Sequence, residues 1–455
     1  MFTVVLSLLA AAGFAALGMA GGANTQTIGG LYKTVYENFV SEQTLNKFPF
    51  KDLLKFETAD FAGADKVYNA HVSRNISPMW VGEDSAFGAA TSQGSIKIHI
   101  GQRKLMARVR LTSEVLHDSM KSEGAFRSAR KDEMTRIIDD IARMEEYSCT
   151  SDGRGVMALI NDSTPNGAVL MTVDAPGGIV GADFGNRFFL KGMFVAAVDP
   201  ATGIMRTGIS KIVDCATDGT SVTFAAVCDA SWADNDWIVQ AANSSVTDIL
   251  DTSYEHAAWG LTGLFDDGTY RSNYFNADRN IYPQYQSYVK ASTGAISEDL
   301  FQTVADVVDQ RLGGRTDLMT AHHSVRRLAI QITQPDRRYS GNNLQKPDAG
   351  TVAFTQGDIP FGGVPIKALR THPLAMMFGL DTKGVELVRY SSDTGSWVDE
   401  DGSVFVRVGS GDTGRDAFEA WYRLRYQNHA RTPGKAWRLD GITGMTLIVV
   451  REAGS

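Results

Sequence analysis

The stretch Ser122 to Tyr147, SEGAFRSARKDEMTRIIDDIARMEEY, constrains the fold more than any other part of the chain. Phe126, Met134, Ile137, Ile138, Ile141, Met144 and Tyr147 recur at three- and four-residue steps, which draws one apolar stripe along a helix. Asp132–Arg136 and Asp139–Arg143 are acid-then-base pairs four residues apart, a spacing that supports a helix by a few tenths of a kcal/mol each. Ser122 is placed to cap the N-terminus, with Glu123 at the positive end of the dipole. No Pro or Gly follows Gly124, so the helix runs roughly 39 Å at 1.5 Å per residue. One stripe implies one covered side, lying on a sheet, while the other side faces solvent or a neighbour. Taken alone, the stretch is an ordinary amphipathic core helix; its surroundings give it more meaning.

The 455-residue chain is long enough for two to four domains. Its net charge of −8 argues against gripping nucleic acid by phosphate neutralisation, which needs basic stripes. Cys149, Cys215 and Cys228 are an odd, sparse set that fits a reducing compartment and shows no zinc spacing. Met1 to Ala20, MFTVVLSLLAAAGFAALGMA, looks like the apolar region of a secretory signal, but the first charged residue is Lys33. Its length would also suit a membrane span, which Gly13, Gly18, Gly21 and Gly22 weaken. The favoured reading is an apolar arm buried against another protein surface, with no membrane role.

Leu31 to Leu54 reads as partly helical. Lys66 to Arg74, Ile96 to Ile100 and Lys104 to Leu111 alternate with period two, so they read as strands of one long hairpin. Its tip, Ile76 to Gly94, carries Met79, Trp80 and Phe87. Either the hairpin packs on its own domain or its apolar tip docks on something else. Arg187 to Ala242 contains five short strands (Phe194–Val198, Met205–Ser210, Ile212–Ala216, Ser221–Val227 and Trp237–Val239) and reads as a compact β barrel or sandwich set into the chain. Cys215 and Cys228 there read as small buried thiols, with facing across the unit as the alternative. Ser297 to Gly314 is a second helix: Ser297 caps it, Phe301, Val304, Val307, Val308 and Leu312 form its stripe, and Gly313-Gly314 ends it. Leu328 to Ile332 is a short buried strand or a helix end. Phe361 to Ile366 is a turn into a strand, Asp399 to Val408 a hairpin, and Phe418 to Tyr426 a long strand.

Catalytic signatures are missing from the sequence: no P-loop, GxSxG, HExxH or GxGxxG occurs. His322-His323 is a poor chelating pair because adjacent side chains diverge, and Asp266-Asp267 and Asp399-Glu400-Asp401 read as turns rather than calcium loops. The expectation is a structural protein with no catalytic residue, no metal and no cofactor.

The order of parts resembles the major capsid proteins of tailed bacteriophages, which share the HK97 fold. The arm, the hairpin Lys66–Arg110 and the helix Ser122–Tyr147 match that family's N-arm, E-loop and spine helix in order. Gly260 to Val289 and Ile296 to Gly314 resemble its axial-domain segments, and Asp416 to Ile442 its closing peripheral strand and tail. The resemblance implies an α+β fold divided into an N-terminal arm (1–60), E-loop hairpin (61–111) and peripheral domain with spine helix (112–160). The axial domain (161–186 and 243–375) would be interrupted by an inserted β domain (187–242), and peripheral strands with a tail (376–455) would close the chain. It implies a subunit that self-assembles through hexamers and pentamers into an icosahedral shell around double-stranded DNA. Assembly would take place in the host cytoplasm, with scaffolding, portal and decoration proteins as partners. Met79, Trp80 and Phe87 at the tip, and Lys104, Arg108 and Arg110 on the strand, would then touch a neighbouring subunit. The family's lysine–asparagine crosslink has no match here. An encapsulin-type shell is the nearest rival, less favoured because of the β insertion and the length. A secreted β-rich enzyme is a distant one, suggested only by the signal-like start.

Overall fold

The computed structural model describes residues 57–60, 65–89, 91–115, 129–165, 167–179, 184–333, 359–361, 364–399, 404–408 and 416–445. The arm Met1–Ala20, the expected helix Leu31–Leu54, the cap Ser122-Glu123 and the turn Glu400–Gly402 lie outside these residues. The chain divides into two compact units, Met1–Glu42 with Ser113–Asp132 and Gln43–Thr112 with Glu133–Ser455. The second unit holds the sheets, the barrel and the cores.

In chain order, the first strands are β1 (Glu57–Asp60), β2 (Asp65–His71), β3 (Ser95–Gly101) and β4 (Arg103–Thr112), followed by helix α1 (Ala129–Ser148). Next come β5 (Val156–Ile160), β6 (Leu170–Asp174), β7 (Phe194–Val198), β8 (Met205–Cys215), β9 (Ser221–Phe224) and β10 (Trp237–Ala241). A loop-rich segment contains α2 (Leu261–Leu264), β11 (Asn273–Tyr274), β12 (Ala277–Asp278) and β13 (Tyr288–Lys290). Then α3 (Glu298–Leu312), β14 (Leu318–Ala321) and α4 (His323–Thr333) precede β15 (Ile359–Phe361), β16 (Val364–Ala368) and β17 (Met377–Leu380). The chain closes with β18 (Leu387–Trp397), β19 (Val406–Arg407), β20 (Ala417–Ala430) and β21 (Trp437–Leu439).

Helix α1 lies on a five-stranded sheet in which β20 pairs with β18 and β19 on one side and with β4 on the other. Ile141 packs with Leu424, Tyr426 and Ala258, so the apolar stripe is covered there. Nearer the N-terminal end Ile138, a member of the same stripe, is 40% exposed, so the stripe is covered only in part. The C-terminal end is fastened by polar contacts. Glu145 pairs with Arg389 of β18, whose guanidinium sits 4.1 Å over the Tyr426 ring. Tyr147 donates to the Val156 carbonyl of β5 at 2.7 Å, which ties the same helix end to the barrel.

The hairpin is shorter than the alternation suggests. β2 pairs with β3 from Asp65↔Gly101 to His71↔Ser95, whereas β4 leaves the hairpin and pairs with β20 from Thr112↔Ala417 to Arg103↔Tyr426. Both strands have period two, and period alone does not name a partner. The phase does carry the break. The apolar positions are even-numbered through Ile100 and odd-numbered from Leu105.

The inserted β unit is larger than expected. Strands β10, β5, β6, β9, β8 and β7 close a barrel, so it begins at Val156 rather than near Arg187. Every residue of β5 is buried: Met157 and Ile160 face the barrel core, while Val156 and Leu159 face a second cluster with Val239 and Val246. A strand covered on both faces loses its alternation, which hides it from a period-two search. Cys215 and Cys228 are buried thiols that do not form a disulfide.

A six-stranded sheet, ordered β13-β21-β17-β14-β16-β15, carries α3 on it through Phe301, Val304 and Val308. Ser297 accepts from the Leu300 amide at 3.2 Å, and Gly313 closes the helix at φ 65°, both as the sequence signals. Leu328 to Ile332 belongs to helix α4. Val406-Arg407 pairs with Phe418-Glu419 of β20.

A fragment from Arg154 to Glu255 is expected to melt cooperatively with a β-type circular dichroism spectrum. A fragment from Arg187 to Ala242, lacking two wall strands, is expected to melt without a transition. Cooperative melting of the shorter piece would contradict the six-strand closure.

Candidate assembly interface

The surface that could meet other molecules is held in place by buried charges. Arg438 of β21 is fully buried. Its Nε donates to both Asp440 oxygens at 2.9 and 3.0 Å, and its Nη1 donates to the carbonyls of Thr262 (3.2 Å) and Phe265 (3.0 Å). Its Nη2 stands 2.9 Å from Asp266 Oδ1 as an ion contact without hydrogen-bond alignment. The other Asp266 oxygen accepts the amides of Gly268, Tyr270 and Arg271 at 3.2, 2.9 and 2.7 Å. Arg279, also fully buried, donates to the carbonyls of Gly263 (2.7 Å), Tyr285 (2.9 Å) and Asp266. Burial pulls the Arg279 pKa down to about 10, so it stays charged near neutrality. The turn reading of Asp266-Asp267 is therefore right but incomplete: Asp266 is a structural anion as well.

This segment anchors the hairpin. Asn276, between β11 and β12, donates to the Lys97 carbonyl at 2.9 Å and accepts from the His99 amide at 2.8 Å. Ile98 and Ile100 are fully buried in the central core, with Tyr68, Ala70 and Val72 packed against it. The base of the hairpin is thus fixed on its own chain.

The tip has no such cover. Its chain is shaped by side-chain bonds: Asn75 Oδ1 accepts from Thr91 Oγ1 at 2.6 Å and from the Ser77 amide at 2.8 Å. Met79 is 58% exposed, Phe87 88% exposed and Trp80 wholly exposed. The structure places all three on one loop, as the sequence implies. Surface aromatics scattered singly need no explanation, but this grouping on one loop is unusual for a monomeric protein.

Lys104, Arg108 and Arg110 are elsewhere, on β4 of the five-stranded sheet. Directly opposite on β20 stand Arg425 to Lys104, Arg423 to Met106, Trp421 to Arg108 and Glu419 to Arg110. Opposed residues share a face, so one sheet face gathers five cations. Glu419 lies 3.8 Å from both Arg108 and Arg110. Sequence reasoning missed Arg423 and Arg425 as part of this surface because only the strand pairing brings them to β4.

Among the described residues no group of three or more His, Cys, Asp or Glu could hold a metal ion. The buried histidines are structural. His322 lies beside Ser324, His372 accepts or donates with Thr320 Oγ1 at 3.3 Å, and His429 sits among Tyr68, Phe275 and Tyr274 with neither ring nitrogen bonded.

No protein-family model and no curated protein matches the chain. Solved structures do. The cyanophage A-1(L) capsid asymmetric unit matches with a TM-score of 0.55 at 10% identity, covering 92% of this chain and all of that one. The capsid of a native GTA particle matches with a TM-score of 0.50 at 10% identity, covering 93% of this chain and all of that one. This is an α+β fold related to the HK97-like capsid structures. An encapsulin complex from Synechococcus elongatus matches at a TM-score of 0.44 and 8% identity, covering 95% of this chain and 99% of that one. That score is too low to weigh between the shell types that share the capsid fold.

Burial pushes His322 down to about 2 and His372 and His429 down to about 3, with Arg187 near the first two and Arg431 near the third adding to the effect. Unfolded histidines bind protons below about 6.5 while these stay neutral, so stability is full above that pH and falls as pH drops toward about 3. Each contributes a slope of about 1.4 kcal/mol per pH unit across that window. Urea melts of the subunit at pH 7 and about pH 5, where most carboxylates remain ionised, are expected to show a lower midpoint at the acid value. Equal midpoints would mean that these histidines are protonated in the fold.

Proposed function

We propose that this chain is the major capsid protein of a tailed bacteriophage, assembling through hexamers and pentamers into an icosahedral shell around double-stranded DNA. The observation that carries the reading is a capsid-type fold whose anchored hairpin presents Met79, Trp80 and Phe87 to solvent. In this reading the hairpin Asp65–Gly101 acts as the E-loop, α1 as the spine helix and the barrel Val156–Ala241 as an insertion. The two flanking sheets serve as the peripheral and axial domains, and residues 1–60 as the N-terminal arm. Assembly occurs in the host cytoplasm, and scaffolding, portal and decoration proteins are the further partners. The tip meets a neighbouring subunit, where each buried aromatic side chain contributes roughly 1.5–3 kcal/mol. The same contact recurs at every equivalent position in a closed shell, so a modest local loss is multiplied.

The test is Trp80→Ser combined with Phe87→Ser. Both side chains are solvated in the subunit, so its melting is expected to change by less than about 0.5 kcal/mol per site. Sedimentation is expected to show that shells fail to form or fall apart. Normal shells from the double variant would remove the tip from assembly.

A further inference from the structure

The chain is acidic overall, yet its fold builds a local basic stripe. Lys104, Arg108 and Arg110 on β4, with Arg423 and Arg425 on β20, share one face of the sheet. Lys104 stands directly opposite Arg425, and like charges opposed across a ladder destabilise a sheet. From Lys104 to Arg110 the stripe runs about 20 Å at 3.3 Å per residue. Glu419 sits at the Arg108–Arg110 end, and Asp393 of β18 is in backbone register with Arg425. Cations on an edge strand such as β4 also discourage unwanted pairing. That purpose does not explain Arg423 and Arg425, since β20 has strand neighbours on both sides. Trp421 and Met106 interrupt the stripe with apolar surface, and Met106 is 43% exposed.

We propose that this sheet face binds the phosphate backbone of duplex DNA without reading its sequence. A stripe with at least one cation on every rung suits a linear polyanion, and four of the five cations are arginines, whose planar fork matches phosphate oxygens. The inference rests on the shell reading only for where such DNA would lie, since binding by the subunit needs no shell. The sequence-wide charge excludes phosphate neutralisation only if the cations stay dispersed, and the pairing of β4 with β20 gathers them.

The experiment uses the full chain, diluted until sedimentation shows no shells, with a fluorescently labelled mixed-sequence duplex. Anisotropy is followed between about 50 and 200 mM salt. Binding is expected, with log affinity falling against log salt at a slope near −3, as for three to four phosphate contacts. Arg108→Gln with Arg423→Gln is expected to reduce that slope by about two, and Arg108→Lys with Arg423→Lys to preserve it. If the glutamine pair fails to fold by thermal melt, the exposed Lys104→Gln serves instead and is expected to reduce the slope by about one. No binding by the parent, or a slope unchanged in a folded variant, overturns the proposal. A parent that ignores DNA, beside a glutamine variant that fails to form shells, assigns the face to an acidic surface of a second copy. Shells that form normally while duplex binding is absent overturn this inference and leave the shell reading standing.

Discussion

The geometry of the large unit depends on Arg438. It enters from β21, meets Asp440 on its own chain segment, and reaches across to Asp266 and to the carbonyls of Thr262 and Phe265. A buried ion pair of this kind adds little net stability compared with a well-packed apolar core, but removing one partner costs about 3–5 kcal/mol because the other is left unpaired. Its consequence here is positional. The segment from Gly260 to Val289 has almost no regular structure, so its shape comes from Arg438, Asp266 and Arg279 collecting its backbone groups. That segment in turn holds Asn276 against β3, and β3 holds the tip. Buried charge therefore sets the position of the loop that leaves Met79, Trp80 and Phe87 in water.

The two outward surfaces have different characters. The tip offers exposed apolar side chains on a loop and gains most by being covered. The β4–β20 face offers charge on a flat, rigid sheet backed by α1 through Ile141, Leu424 and Tyr426. That sheet is fastened to the helix by the Glu145–Arg389 pair, and the helix to the barrel by Tyr147.

Much of this was legible in the sequence where the signal is local. Ser297 and Gly313 mark the ends of α3, and the stripe between them is the face that packs. The tip is legible because apolar residues in a Gly- and Ser-rich loop have no strand to hide them. What was illegible depends on partners distant in sequence. The exit of β4 to β20 shows only as a phase change between Ile100 and Leu105. The strand β5 shows no alternation because both its faces are covered. The Arg438 site shows nothing, since two of its acceptors are backbone carbonyls, which every residue type has, and its partner Asp266 is far away in sequence.

The central claim, that this chain builds shells, is tested most directly by electron microscopy of the purified full-length protein. The account predicts closed icosahedral particles with fivefold and sixfold clusters of subunits and an interior large enough for a genome. Small shells around a cargo enzyme would instead identify an encapsulin-type compartment. Folded monomers that remain monomers at every concentration tried would contradict the account.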